Sequence, residues 1–164
     1  MSTRGAVGIR LGGIDKIGYN HYDSYPDGLG KEVIMYLKCK SVDKLKKAFG
    51  EIEFDDSPDN DVWDWSEHRL NRKFRDYGNF MADSLFNEWS YIINLDSGVL
   101  EIYHGFNKDP NANGRYASQK RENDDGEYYG VVLEKEIPLE ELFHGEYEVR
   151  DDEFVKAGDP EEKS

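Results

Sequence analysis

Ser90-Tyr91-Ile92-Ile93-Asn94-Leu95-Asp96-Ser97-Gly98-Val99-Leu100-Glu101-Ile102-Tyr103-His104 reads as two strands, Ser90–Asp96 and Val99–His104, joined at Asp96-Ser97-Gly98. Apolar and β-branched residues fill both arms, and an Asp-Ser-Gly turn suits a tight hairpin better than any other stretch of the chain. A second hairpin lies upstream. Val7, Ile9 and Leu11 alternate along residues 5–11, Gly12-Gly13 supplies the turn, and Ile14–Asn20 returns. Downstream, Tyr128–Ile137 is a further strand, followed by one helical turn at Pro138–Phe143.

Helices fall between these strands. Leu29, Val33, Ile34 and Leu37 recur at helical spacing, which predicts a helix over Leu29–Lys38. Ser41 can cap a second helix with Val42, Leu45 and Phe49 on one face and Gly50 just past its end. Trp63–Tyr77 reads as a third, with Leu70, Phe74 and Tyr77 on one face, and Phe80–Glu88 as a short fourth. Residues 55–61 form an acidic loop, residues 105–127 a long mobile loop, and residues 151–164 a disordered acidic tail. Strands early, middle and late with helices inserted imply one α+β domain over residues 1–150, built on an antiparallel-rich sheet covered by helices.

Composition narrows the function classes. The chain has 164 residues and a single cysteine, Cys39, so no internal disulfide forms and no Cys-His set has zinc spacing. Hydrophobic residues reach only 37%, but aromatics at 13% supply large buried areas, so the chain is read as folded. There is no apolar run of about 18 residues and no signal peptide of the usual kind, which makes a cytoplasmic protein the expectation, in the producing or a host cell. The net charge of −14 is uneven. Residues 1–50 hold nine Lys/Arg against five Asp/Glu; residues 51–164 hold twelve against thirty. Such a field opposes direct binding of nucleic acid or anionic membranes, and can attract a basic protein surface or imitate a phosphate backbone. Asp55, Asp56, Asp59, Asp61 and Asp64, with Glu122, Asp124 and Asp125, would make the acidic stripe.

Chemistry-bearing side chains concentrate in Tyr19-Asn20-His21-Tyr22-Asp23-Ser24-Tyr25-Pro26, where a strand runs out into a loop. His21 can act as a base and Asp23 can orient it, while Tyr19, Asn20, Ser24 and Tyr25 offer hydrogen bonds and stacking faces. The same residues can instead tie down the turn. Arg4 can hold a phosphate or carboxylate, or pair with an acid such as Asp23. Arg115, Lys120 and Arg121 form the basic cluster of the second half and can close over an anion. Ser2, exposed if Met1 is trimmed, would place a free amine beside a hydroxyl. No metal or cofactor is expected: the acidic loop lacks the glycine and distal glutamate of a calcium hand, and His68, His104 and His144 have no ligand spacing.

Three pieces taken together, Thr3-Arg4-Gly5, Tyr19-Asn20-His21-Tyr22-Asp23-Ser24-Tyr25-Pro26-Asp27-Gly28-Leu29-Gly30 and Glu88-Trp89-Ser90-Tyr91-Ile92-Ile93-Asn94-Leu95-Asp96, resemble a family of uncharacterised proteins of fungi, bacteria and bacterial viruses. The resemblance spans most of residues 3–103 and implies a place for a site without an activity; viral relatives would make an anti-defence role conceivable. The early strand and hairpin, with Asn20 and Asp23, are also similar to the N-terminal-nucleophile amidohydrolases, which would make Ser2 the nucleophile; Tyr19 stands where that family carries an arginine. Three functions follow. The first is binding or processing of a small polar ligand around Arg4 and Tyr19–Tyr25. The second is an acidic interaction module or inhibitor, and the third a hydrolase using Ser2. The sequence leaves open whether the protein is an enzyme.

Overall fold

Alternation of Val7 and Ile9 with Ala6 and Gly8 sets an inner strand, β1 (Gly5–Leu11), buried on both faces over most of its length. It turns at Gly12 and Gly13, whose φ of 61° and 75° suit the mirror-image turn of a two-residue hairpin, into β2 (Ile14–Asn20). The computed structural model describes residues 3–56, 61–121 and 126–158. After a tight turn over Pro26–Gly30 come α1 (Lys31–Leu37) and α2 (Val42–Glu51). Ser41 caps α2 as its sequence implies, its Oγ accepting the Lys44 N–H at 3.2 Å. Four two-residue strands follow: β3 (Glu53–Phe54), β4 (Trp63–Asp64), β5 (Arg69–Leu70) and β6 (Lys73–Phe74). Then come β7 (Trp89–Asn94), β8 (Val99–His104), β9 (Val132–Pro138), α3 (Leu139–Phe143), β10 (Tyr147–Arg150) and β11 (Glu153–Lys156).

The main sheet has five strands in the order β2-β1-β7-β8-β9. Its β1–β7 pairing is parallel and the others antiparallel, so the domain is α+β with an antiparallel-rich, mixed sheet. The two faces differ. Val7, Ile9, Tyr91, Ile93, Leu100, Ile102 and Ile137 point to one side, where they pack with Leu29, Val33 and Leu37, Leu45 of α2, and Leu139 and Leu142 of α3. Ala6, Ile17, Ile92 and Tyr103 point to the other, where Met81, Tyr116 and Val131 cover them. Helices therefore pack on the first face together with Val62, Trp63, Leu70 and Phe74, and irregular chain covers the second.

The chain between α2 and β7 overturns two readings. Trp63–Tyr77 is not a helix: Leu70 and Phe74 sit at helical spacing, but each belongs to a separate short strand. Its backbone is satisfied by distant partners, Val62 N–H donating to Tyr19 O at 3.1 Å and Tyr77 N–H to Ile17 O at 2.9 Å. In the Phe80–Glu88 stretch only a 3₁₀ turn over Gly78–Ala82 forms. Over residues 105–121 the expected loop is likewise not loose, since Asn107, Tyr116 and Ala117 are buried; residues 122–125 of it lie outside the described residues.

The C-terminal tail needs the same revision. Residues 153–156 pair with β10, and Phe154 is 5% exposed against Tyr91. Asp27 and Asp152 exchange backbone-to-carboxylate hydrogen bonds, each 2.9 Å long, which fastens this hairpin to the Pro26–Gly30 turn. The folded domain thus runs past Arg150 to the end of β11; residues 159–164 of the expected tail lie outside the described residues.

Candidate functional site

Asn20 ends β2 opposite Gly5, where a Cβ would come within 2.7 Å of the Ser24 side chain. Glycine there lets Ser24 pack against the strand, and both Asn20 and Ser24 are buried. Asn20 Nδ2 donates to Tyr22 O (2.7 Å) and Ser24 Oγ (2.8 Å), while its Oδ1 accepts the Trp65 indole N–H at 3.2 Å. Ser24 receives the Tyr91 hydroxyl on its carbonyl at 2.7 Å. Asp23 adopts a left-handed φ of 58°, and its carbonyl accepts Leu29 N–H at 2.7 Å. These contacts are a turn lock, the second of the two roles open to this segment.

The remaining members divide. His21 Nδ1 lies 2.9 Å from the Tyr19 hydroxyl, whereas the Asp23 carboxylate accepts from Tyr25 at 3.3 Å, so His21 and Asp23 do not form a base–orienter pair. The Asp23 charge, with some desolvation, raises the Tyr25 phenol above its ordinary value. Arg4 sets its guanidinium 5.5 Å from the Phe86 ring centre rather than on Asp23. Burial raises the Tyr19 phenol, and the positive charge of Arg4 opposes that shift. Ser2 lies outside the described residues.

Tyr19 leads to a cavity. Its ring lies 5.3 Å from Tyr77 and 5.4 Å from Phe80, centre to centre. Tyr77 and Phe80 in turn line an open cleft of about 650 Å³ with Asn79, Asp83, Lys120 and Arg121. One wall is the 3₁₀ turn, held to β2 by the Tyr77 amide. The other is the end of the segment after β8, where Lys120 sets its ammonium 5.0 Å from the Tyr129 ring. Buried Asp83 joins the walls: its Oδ1 accepts the Leu85 and Phe86 amides, and its Oδ2 meets Arg121 Nη1 at 3.4 Å.

The walls share a buried clamp. Ser84 Oγ donates to Asn107 O (3.1 Å) and accepts Asn107 N–H (2.9 Å). Asn107 Nδ2 donates to Ala117 O and Gly130 O at 3.2 and 2.9 Å. Every polar atom of this unit has a partner, which rigidifies the irregular chain forming the cleft. Sequence reading missed Ser84 and Asn107 because isolated Ser and Asn in a polar stretch carry no spacing signal. Tyr77 and Phe80 were hidden by their assignment to helices.

Arg115, grouped by sequence with Lys120 and Arg121, lies elsewhere. It meets Glu101 at 2.6 Å and the Tyr116 hydroxyl at 2.9 Å. Glu101, 3% exposed, also accepts from Asn94 Nδ2 (3.1 Å) and Tyr103 OH (3.0 Å). Burial raises the Tyr103 phenol, and the Glu101 carboxylate adds to the shift. Burial works against the Arg115 charge, but the Glu101 hydrogen bond and the neighbouring tyrosines outweigh it, and Arg115 titrates above its ordinary value. This network anchors the segment that ends in the cleft wall.

Among the described residues, no group of three or more His, Cys, Asp or Glu side chains is placed to hold a metal ion, and no helix is long and apolar enough to cross a membrane. No family model, curated protein or solved structure matches the chain. Fold and site together define a one-domain α+β protein with an aromatic cleft rimmed by two cations.

Proposed function

We propose that the protein binds a small polar ligand carrying a negative charge and a flat ring in the cleft between residues 77–83 and 119–121. One observation carries this reading: Tyr77 and Phe80 line a cavity of about 650 Å³ together with Lys120 and with Arg121, which meets Asp83 there. That volume is of the size that encloses small molecules, and an apolar lining with a few placed polar groups is the usual composition of such sites. A planar group can stack on the rings while its anionic group meets the cations. The expected segment contributes indirectly, Tyr19 backing both rings and Asn20 and Ser24 fixing the strand end behind them.

Native mass spectrometry of the purified protein tests this. A retained acidic small molecule, lost in Tyr77→Ala and Lys120→Ala, is the expected result. A ligand retained equally by both variants would overturn the assignment.

The uneven charge favours a second reading, an acidic surface for a basic protein partner. Asp55, Asp56, Asp61 and Asp64 lie among the described residues, and Asp59, Glu122, Asp124 and Asp125 outside them. Binding through that surface would weaken steeply with salt, and neutralising Asp56, the exposed member of the set beside Asp55, would reduce it.

A further inference from the structure

A second basic region lies at α2, apart from the ring-lined cleft and sharing no residue with it. Lys40, Lys44 and Lys47 line a hollow of about 220 Å³ with Tyr36, Glu51 and Arg72. Four cations face one carboxylate there, although the whole protein carries −14. Lys44 and Lys47 share one side of α2, and Lys40 stands just before its cap, so like charges converge where helical spacing makes them repel. Two of the four cations are already held in place. Lys40 sets its ammonium 4.7 Å from the Tyr36 ring centre. Arg72 Nε binds Glu51 at 3.1 Å and its Nη1 donates to Leu70 O at 3.1 Å. Glu51 also meets Lys47 at 4.0 Å and is the one acid lining the hollow.

We infer that this hollow is a binding site for a compact, multiply charged phosphate group. Lysines serve phosphate as point charges, while the guanidinium adds directed donors. The hollow is too small for a large organic ligand, and its volume matches a short phosphate chain. A nucleic-acid strand or an anionic membrane would have to bring many charges against residues 51–164, where thirty Asp/Glu face twelve Lys/Arg, which disfavours both. A small phosphate compound meets only the local positive field.

The test is a titration of the ¹⁵N-labelled protein with sodium tripolyphosphate at constant ionic strength, with sodium sulfate as a control and a short single-stranded DNA as a second arm. The expected result is saturable shifts in the amides of Lys40–Glu51 and Arg72, with sulfate at least tenfold weaker. The Lys44→Gln/Lys47→Gln double variant should bind at least tenfold more weakly while melting at the wild-type temperature. Arg72→Gln, which keeps all three lysines, should lose less. No saturation at millimolar tripolyphosphate, shifts centred on Lys120 and Arg121 instead, or wild-type affinity in the double variant would each overturn the inference. Tighter binding of the DNA than of tripolyphosphate through these same lysines would overturn the small-phosphate assignment.

Discussion

Replacing Arg115 by Met should destabilise the protein far more than an ordinary surface charge change. The Arg115 side chain as a whole is partly exposed (29%), but the side chain of its buried partner Glu101 is only 4% exposed. Removing one member of a buried pair costs about 3–5 kcal/mol, because the other charge is stranded. Glu101 keeps the Asn94 and Tyr103 donors, and Arg115 reaches solvent, so the lower end, about 3 kcal/mol, applies here. For a domain of this size that corresponds to a fall in Tm of about 6–12 °C. Adding Glu101→Gln should recover part of the loss, since a neutral amide needs no counter-charge and can still bond to Tyr103. Differential scanning calorimetry of the wild type, both single variants and the double variant gives the coupling directly. An Arg115→Met protein that melts within about 2 °C of wild type, or a double variant whose loss equals the sum of the singles, would refute the reasoning.

Other perturbations separate structure from site. Asn20→Ala should cost about 2–3 kcal/mol, because it removes three hydrogen bonds and strands the Trp65 indole N–H, whereas exposed His21→Ala should leave chemical denaturation almost unchanged. Phe154→Ala should cost about 3–5 kcal/mol, checked by urea unfolding, because the ring is 5% exposed in the main core. Asp96 accepts the Gly13 and Gly12 amides, which hold its carboxyl below the ordinary value of 3.8. A carboxylate depressed in the folded state stabilises fully above its unfolded value and loses that contribution as pH falls through the folded value. Asp96→Asn should therefore flatten the acid limb of a Tm-against-pH curve below pH 3.8 and leave its neutral limb parallel to wild type.

The sequence made the sheet legible where the pattern is local. Val7, Ile9 and Leu11 alternate, Gly12-Gly13 and Asp96-Ser97-Gly98 mark turns, and all four strands of the two hairpins form close to their expected limits. Ser41 announced α2 in the same way. Order within the sheet was not legible, because β1 pairs in parallel with β7 across a long separation, and no local pattern encodes that choice. The failed helix over Trp63–Tyr77 shows how apolar spacing misleads. Leu70 and Phe74 recur at helical intervals, yet Glu53 N–H binds Arg72 O and Asp55 N–H binds Phe74 O, so long-range pairing replaced the helical ladder. In the tail, one buried aromatic among acids outweighed the composition. At the site, the sequence found the dense segment Tyr19–Pro26, but density marked a turn lock as well as a neighbour of the cleft. Asn20 and Ser24 are consumed by internal hydrogen bonds, while Lys120 and Arg121, singled out only as a loop cluster, line the cavity.

The central claim is that the cleft between residues 77–83 and 119–121 takes an anionic, ring-bearing molecule. The most direct measurement is a ¹H–¹⁵N titration with phenyl phosphate, using phenol and inorganic phosphate as half-ligands. Saturable shifts in the amides of Tyr77–Asp83 and Gln119–Arg121 are expected, weaker for either half-ligand and lost in Tyr77→Ala. Shifts confined to Lys40–Glu51, equal responses to inorganic phosphate and phenyl phosphate, or no response in Tyr77–Asp83 at saturating concentrations would contradict it.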